Sequence, residues 1–209
     1  MNELKNHTEM PKIDKMDNMR EIKPDKPLSQ NELKNKVADV FEEARIKKEF
    51  NHDNCETTYE ERCQRASDGD GVWKDKVGDS LFIPNNEEAK EVLREKGQDG
   101  IRYIDGEPDL SKVAEATVKI DDMTANREKN FKQAYIKLAE QWNQEAKDNK
   151  TDWKPRDVEK YRTEHRLSWH ERCDTKTMDL VPRSIHEECK HIGGVAECKR
   201  KETGGKFDE

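Results

Sequence analysis

The last fifth of the chain constrains its fold most. Leu167 to Glu171 reads as a short strand, and the polar run Arg172 to Lys176 as a turn. Thr177 to Val181 reads as a second strand, which Pro182 ends before a helix starts near Ser184. Gly193-Gly194 closes that helix or kinks the chain after it. The pattern is strand, turn, strand, helix; four of the six histidines fall between His165 and His191, and three of these sit within it or at its end. His170 ends the first strand, while His186 and His191 lie on or just after the helix. Five positions separate these two, which on an ideal helix turns them about 140° apart. Both can face one point only if the helix ends or bends between them.

Upstream, residues 1–28 carry Pro11, Pro24 and Pro27 among Lys, Asp, Asn and Met, and read as unstructured. Ser29, with Glu32 three positions on, opens a helix whose thin stripe of Leu33, Val37, Val40, Phe41 and Ala44 needs a packing partner. Residues 51–71 read as a polar linker ending in Asp68-Gly69-Asp70-Gly71. From Val72 the character changes. Short strands are expected at Val72-Trp73, Ser80 to Ile83, Ile101 to Ile104 and around Val118 to Ile120. Asp105-Gly106 is a hairpin-type turn, and Pro108 places the returning strand at a sheet edge. Asn86 caps one helix. A longer one runs from about Asn126, with Phe131, Ala134, Tyr135, Leu138 and Trp142 on its inner face. Pro155 opens another, with Val158 and Tyr161 turned inward. The tail from Lys199 reads as charged and frayed. The fold class is therefore α+β, mainly helical with short strands. The divisions are 1–28, 29–71, an α+β support region 72–150, and the histidine-bearing stretch 151–209.

Composition limits how large one core can be. Apolar residues are 31% of the 209 and charged residues 42%, so part of the chain is expected to stay solvated. The net charge of −7 is unevenly spread. Residues 150–209 hold 14 Lys/Arg and 13 Asp/Glu, so the remainder carries −8. Phosphate binding in the C-terminal stretch would rest on local cations and a metal, not on a global field. Five cysteines, Cys55, Cys63, Cys173, Cys189 and Cys198, leave at least one thiol unpaired and form no C-x-x-C pair, which favours a reducing compartment at the time of action. No apolar run is long enough to span a bilayer, and Met1 to Lys5 lacks a signal-peptide core. The expected site of action is a cytoplasm, reached if necessary through a specialised secretion route.

Concentrated histidines suit phosphodiester hydrolysis, which needs a cation on the phosphate oxygens and a base to activate water. Imidazole favours Zn and Ni, whereas Mg prefers oxygen ligands. Leu167-Ser168-Trp169-His170-Glu171, Thr177 to Pro182, Ile185-His186 and His191-Ile192-Gly193-Gly194 together resemble the HNH/endonuclease VII superfamily. More closely, they resemble the toxin nucleases with a conserved Trp-His-Glu motif, found at the C-terminal ends of bacterial polymorphic toxins.

The resemblance covers residues 165–198 and loosely the region from Val72. It implies a ββα-metal (His-Me finger) nuclease with one divalent ion (Mg, Zn, Ni or Mn), a DNA substrate with RNA as the alternative, and an immunity protein as partner. His170, His186 and His191 become the metal-ligand candidates. Glu171 stands where many relatives have the second histidine, the general base; in the alternative assignment His170 is the base and Glu171 a ligand or orienting group. The middle Asn of the wider pattern has no equivalent, with Thr177 near its place, and Asp179 stands where close relatives often have a neutral polar residue.

Arg172, Lys176 and Arg183 are the candidate phosphate contacts, against the default of solvated charges. Trp169 reads as core and His165 as an ordinary surface or core histidine with a satisfied hydrogen bond. Cys173, Cys189 and Cys198 near the histidines offer a second reading, a structural zinc module without catalysis. A third, a non-catalytic immunity or adaptor protein, suits the acidic upstream half but makes no use of the Trp-His-Glu and His-Gly-Gly pieces.

Overall fold

The computed structural model describes residues 29–50, 52 and 55–204, so the expectation for residues 1–28 lies outside it. By compactness the chain divides between Glu42 and Glu43. Helix α1 (Gln30–Glu49) crosses that division. Ser29 precedes it, and the Ser29 carbonyl accepts from the Leu33 amide at 2.9 Å. Leu33, Val37, Val40 and Phe41 are exposed along the helix.

The polar linker expected at 51–71 contains a second helix, α2 (Tyr59–Ala66). Its Thr58–Glu61 capping box satisfies the first-turn amides. Its buried side comprises Ala66 and Arg62, the latter's guanidinium donating to the carbonyls of Asp105 and Thr57. Hydrophobic periodicity could not reveal a helix that docks through an arginine.

An antiparallel meander follows: β1 (Gly71–Trp73), β2 (Leu81–Pro84), helix α3 (Glu87–Glu95), β3 (Ile101–Ile104) and β4 (Glu107–Asp109), in the order β1-β2-β3-β4. Asp105 and Gly106 turn the β3–β4 hairpin with both residues left-handed (φ 51° and 80°). Pro108 sits on an edge strand, where its missing amide costs no ladder bond.

The second sheet takes strands from distant stretches. It combines β5 (Ala116–Lys119) with the hairpin β6 (Leu167–Glu171) and β7 (Thr177–Pro182), in the order β5-β7-β6. Between β5 and β6 run α4 (Arg127–Gln144), capped by Asn126, and α5 (Pro155–Glu164), with Pro155 in its first turn. Beyond β7 come α6 (Arg183–Glu188) and α7 (Gly194–Thr203).

Two cores flank the β6–β7 hairpin. One gathers Trp142, Leu138, Tyr135 and Val158 against Trp169, Met178 and Leu180. The other gathers Phe82, Leu93, Ile101 and Tyr103 against Val181, Ile185 and Cys189. Alternate residues of a strand face opposite sides, so a strand buried on both faces is a nearly unbroken buried run, as Thr177–Val181 is. Trp169 is core, as its strand position implied.

Of the tail expected to fray from Lys199, residues 205–209 lie outside the described residues; as far as Thr203 it is helical in α7, an element that buries Val195, Glu197 and Cys198. Glu197 is the reason. Its carboxylate accepts from the amides of Glu56 (2.5 Å) and Thr57 (3.3 Å) and from the Thr57 hydroxyl. Arg200 adds an ion pair to Glu61. A disulfide between Cys55 and Cys173, 118 residues apart with Cα atoms 6.3 Å apart, ties the same arm to the β6–β7 turn. Cys63, Cys189 and Cys198 are free thiols. No helix among the described residues is long and apolar enough to cross a membrane.

Candidate active site

The three histidines converge. His170, His186 and His191 each offer a ring nitrogen, and these atoms lie within 4.8 Å of one another. Ring centroids are 4.6 Å apart for His170–His191, 5.7 Å for His170–His186 and 5.6 Å for His186–His191. The angular problem of five-residue spacing is solved by ending the helix. Glu188 is the last residue of α6, and Cys189 leaves helical geometry (φ −82°, ψ 88°), so His191 approaches from an extended segment.

Gly193 and Gly194 then let that segment pass close under β6. A Cβ on Gly193 would stand 2.7 Å from the Glu171 carbonyl oxygen and 3.2 Å from His191 Nε2. One on Gly194 would stand 2.3 Å from Met123 Sδ and 2.5 Å from the Arg172 carbonyl oxygen. These glycines serve close approach, not helix closure.

The donor set suits a cation. His170 is fully buried, and neither of its ring nitrogens has a hydrogen-bond partner. A buried, unsatisfied polar side chain calls for an explanation, and a metal ion supplies one. His191 Nδ1 lies 2.7 Å from the Cys189 carbonyl oxygen, so Nδ1–H donates there and Nε2 keeps its lone pair. Burial, reinforced by the neighbouring histidines and Arg172, holds His170 well below its ordinary pKa. Burial likewise pushes His186 down to about 3 and lowers His191. Three neutral imidazoles with free lone pairs are ready ligands for Zn or Ni.

No cysteine joins this set. Cys189 packs beneath Tyr103, Cys198 donates to the Met123 carbonyl, and Cys173 is in the disulfide. A second grouping with ligand chemistry among the described residues, Cys55, Cys173 and Glu197, has its sulfurs bonded together and its carboxylate occupied.

Glu171 follows His170 on β6 and therefore projects to the opposite face. There Asn130 Nδ2 donates to Glu171 Oε1 at 2.9 Å, and Arg127 Nε lies 3.2 Å from Oε2. Asn130 is itself fixed, donating to the Thr124 carbonyl and accepting from the Thr124 amide, both at 2.9 Å. Burial raises the Glu171 pKa, while Asn130 and Arg127 oppose the rise. Glu171 nevertheless opens into the same cavity as His186 and His191, a cleft of about 550 Å³. His170 lies buried behind that wall.

The three expected phosphate contacts lie elsewhere. Arg172 is buried and grips Asp179 through two hydrogen bonds (2.7 and 3.0 Å), while Thr117 donates to the same carboxylate. Burial alone would lower the Arg172 pKa, but Asp179 holds it above its ordinary value, whereas burial raises the Asp179 pKa against the pull of Arg172. Asp179 thus partners an internal arginine. Lys176 is exposed on the β6–β7 turn, and Arg183 is exposed at the start of α6; neither lines the cleft.

That turn is closed by Asp174, whose carboxylate accepts from the Lys176 and Thr177 amides and the Thr177 hydroxyl. The cations that do line the cleft are Arg65, Arg127, Lys190 and Lys199. Arg127 and Asn130 carried one missed signal: they sit in the first turn after the Asn126 cap, on the helix that packs over the Trp-His-Glu strand. Nothing in the sequence ties Arg65 or Lys199 to the site.

Residues 100–193 match the family model for the DNase/tRNase domain of colicin-like bacteriocins. The matched stretch contains all three histidines, Glu171, Asn130 and Arg127, and stops where α7 begins. The match supports a nuclease-toxin function. No curated protein matches the chain.

Proposed function

We propose that the protein is a metal-dependent endonuclease of the HNH-type, His-Me finger kind with a Trp-His-Glu motif, cleaving DNA as the effector of a bacterial polymorphic toxin system. The observation that carries this reading is the buried, unpartnered His170 meeting His186 and His191 beside a cleft that also exposes Glu171. Three protein ligands, rather than the four of a structural zinc site, favour catalysis over the structural-module reading. The colicin-like match points the same way.

His170, His186 and His191 would hold one divalent ion, Zn, Ni, Mn or Mg, which when bound polarises the phosphate and stabilises the departing oxygen. Glu171 is the general base. It faces away from the triad side of the strand, so it reaches water on the far side of a phosphate lying in the cleft. Its raised pKa brings it closer to the range where proton transfer is efficient. Asn130 fixes the carboxylate's orientation, and Arg127 neutralises it between turnovers. The partner expected of a bacteriocin-type nuclease is an immunity protein covering the cleft, and the site of action is a cytoplasm.

The test is plasmid nicking with Mg, Mn, Zn or Ni, using wild type beside His170→Ala. Wild type should cleave with at least one ion and the variant with none. Cleavage by both alike, or by neither with any ion, removes the nuclease reading.

A further inference from the structure

The cleft has walls that the colicin-like match does not include. Arg65 comes from α2 and Lys199 from α7, both outside residues 100–193, yet both line the cleft with Glu171, His186 and His191. Beyond it a second concavity continues along Thr124, Asn126, Lys129 and Glu202, sharing Arg127, Val195 and Lys199 with the first. Five cations, Arg65, Lys190, Arg127, Lys199 and Lys129, therefore border one continuous path past the triad. Glu128, Glu171, Glu187 and Glu202 also border it and limit its net charge.

Lys199 and Lys129 are exposed. Arg65 pairs with Asp68, both side chains about half exposed (50% and 51%), an arrangement whose strength is slight and readily exchanged for a phosphate. Lys190 donates to the Glu187 carbonyl. Meanwhile α2 and α7 are locked to each other by Glu61–Arg200 and by Glu197 on the amides of Glu56 and Thr57. The two walls are one braced unit.

We propose that Arg65 and Lys199 are substrate-positioning residues: α2 and α7 form a phosphate-binding rail that holds the nucleic-acid backbone on both sides of the scissile phosphate. This rests on the nuclease reading above for its substrate but not for its chemistry. Among the described residues lining the path, the aromatic rings are Trp169, which is buried in the core, and the candidate ligands His186 and His191, so no Phe, Tyr or exposed Trp offers bases a stacking platform there. Binding is through phosphates and is insensitive to sequence.

The test is fluorescence anisotropy of a labelled duplex oligonucleotide with full-length protein in EDTA, where no cleavage competes, at several salt concentrations. Each phosphate neutralised contributes about 0.9 to the slope of log affinity against log salt. Arg65→Gln and Lys199→Gln should each reduce the slope by about 0.9, and the double variant by about 1.8. A Lys176→Gln control should leave it unchanged. Circular dichroism and cobalt titration of the histidines should match wild type in every variant, which separates lost contacts from lost fold. An unaltered slope in the double variant, with fold and cobalt binding intact, overturns the rail even if wild type cleaves DNA. The slope loss in a wild type that cleaves nothing keeps the rail and removes the nuclease reading.

Discussion

Two neighbouring residues, His170 and Glu171, divide the site between the two faces of one strand. His170 is committed by burial and by its two unpartnered nitrogens. Glu171 is committed by Asn130 and Arg127. Replacing Glu171 by Gln should slow cleavage roughly 10²–10⁴-fold, the usual contribution of a general base. Calorimetric metal binding should persist, because the carboxylate is not among the converging ligands. Unchanged cleavage by that variant would return the base role to a histidine.

Asn130 lowers the Glu171 pKa against burial. Asn130→Ala should therefore move the acid limb of the pH–rate profile to higher pH, a shift that a merely destabilising change would not produce. The histidines set a second pH effect. Their folded pKa values are depressed, so in the metal-free protein each contributes stability above about pH 6.5 that is lost as pH falls toward the folded value, about 3 for His186. Thermal melts in EDTA should show the midpoint falling across that window. Flat melts from pH 6.5 to 4 would mean that the imidazoles are not buried neutral.

Among the elements, α7 and the arm before α2 form the brace on which the site leans. Gly194 starts α7 directly beneath Arg172 and Met123. Gly194→Ala cannot be accommodated without moving backbone, and overpacking of this kind costs about 1–3 kcal/mol. Urea titration should show that loss, and a midpoint equal to wild type would place the segment further from β6 than described. The β6–β7 turn shows a different economy. Asp174 closes it locally, while Arg172 and Asp179 clamp it from inside. Arg172 is one of three candidate phosphate contacts in the sequence, against the default of a solvated charge; the structure places it inside, paired with Asp179, seven residues on and directly across the hairpin from His170.

At the scale of the molecule, the Cys55–Cys173 bond closes a loop of 118 residues, and with it the α2 arm is fastened to the end of the β6–β7 hairpin. A crosslink of that span should stabilise by about 4–5 kcal/mol through the unfolded chain. The Cys55→Ser, Cys173→Ser double variant should unfold at correspondingly lower denaturant. Activity of the folded fraction should be retained, since neither sulfur lines the cleft. An unchanged denaturation midpoint would show that the bond contributes nothing to the stability of the fold.

Local pattern alone determined the strand–turn–strand–helix order, the cap of α4 at Asn126 and the edge position of Pro108. Each depends on neighbours within one or two turns of chain, where period, capping and turn chemistry act directly. Tertiary structure decided the rest. It determined that α2 docks through Arg62 and that α7 is ordered by Glu197. It also ended α6 early enough for His191 to meet His186, and it brought Arg65 and Lys199 to one cleft from positions 134 residues apart. Such pairings rest on buried polar contacts between distant segments, and those leave no periodic trace in the sequence.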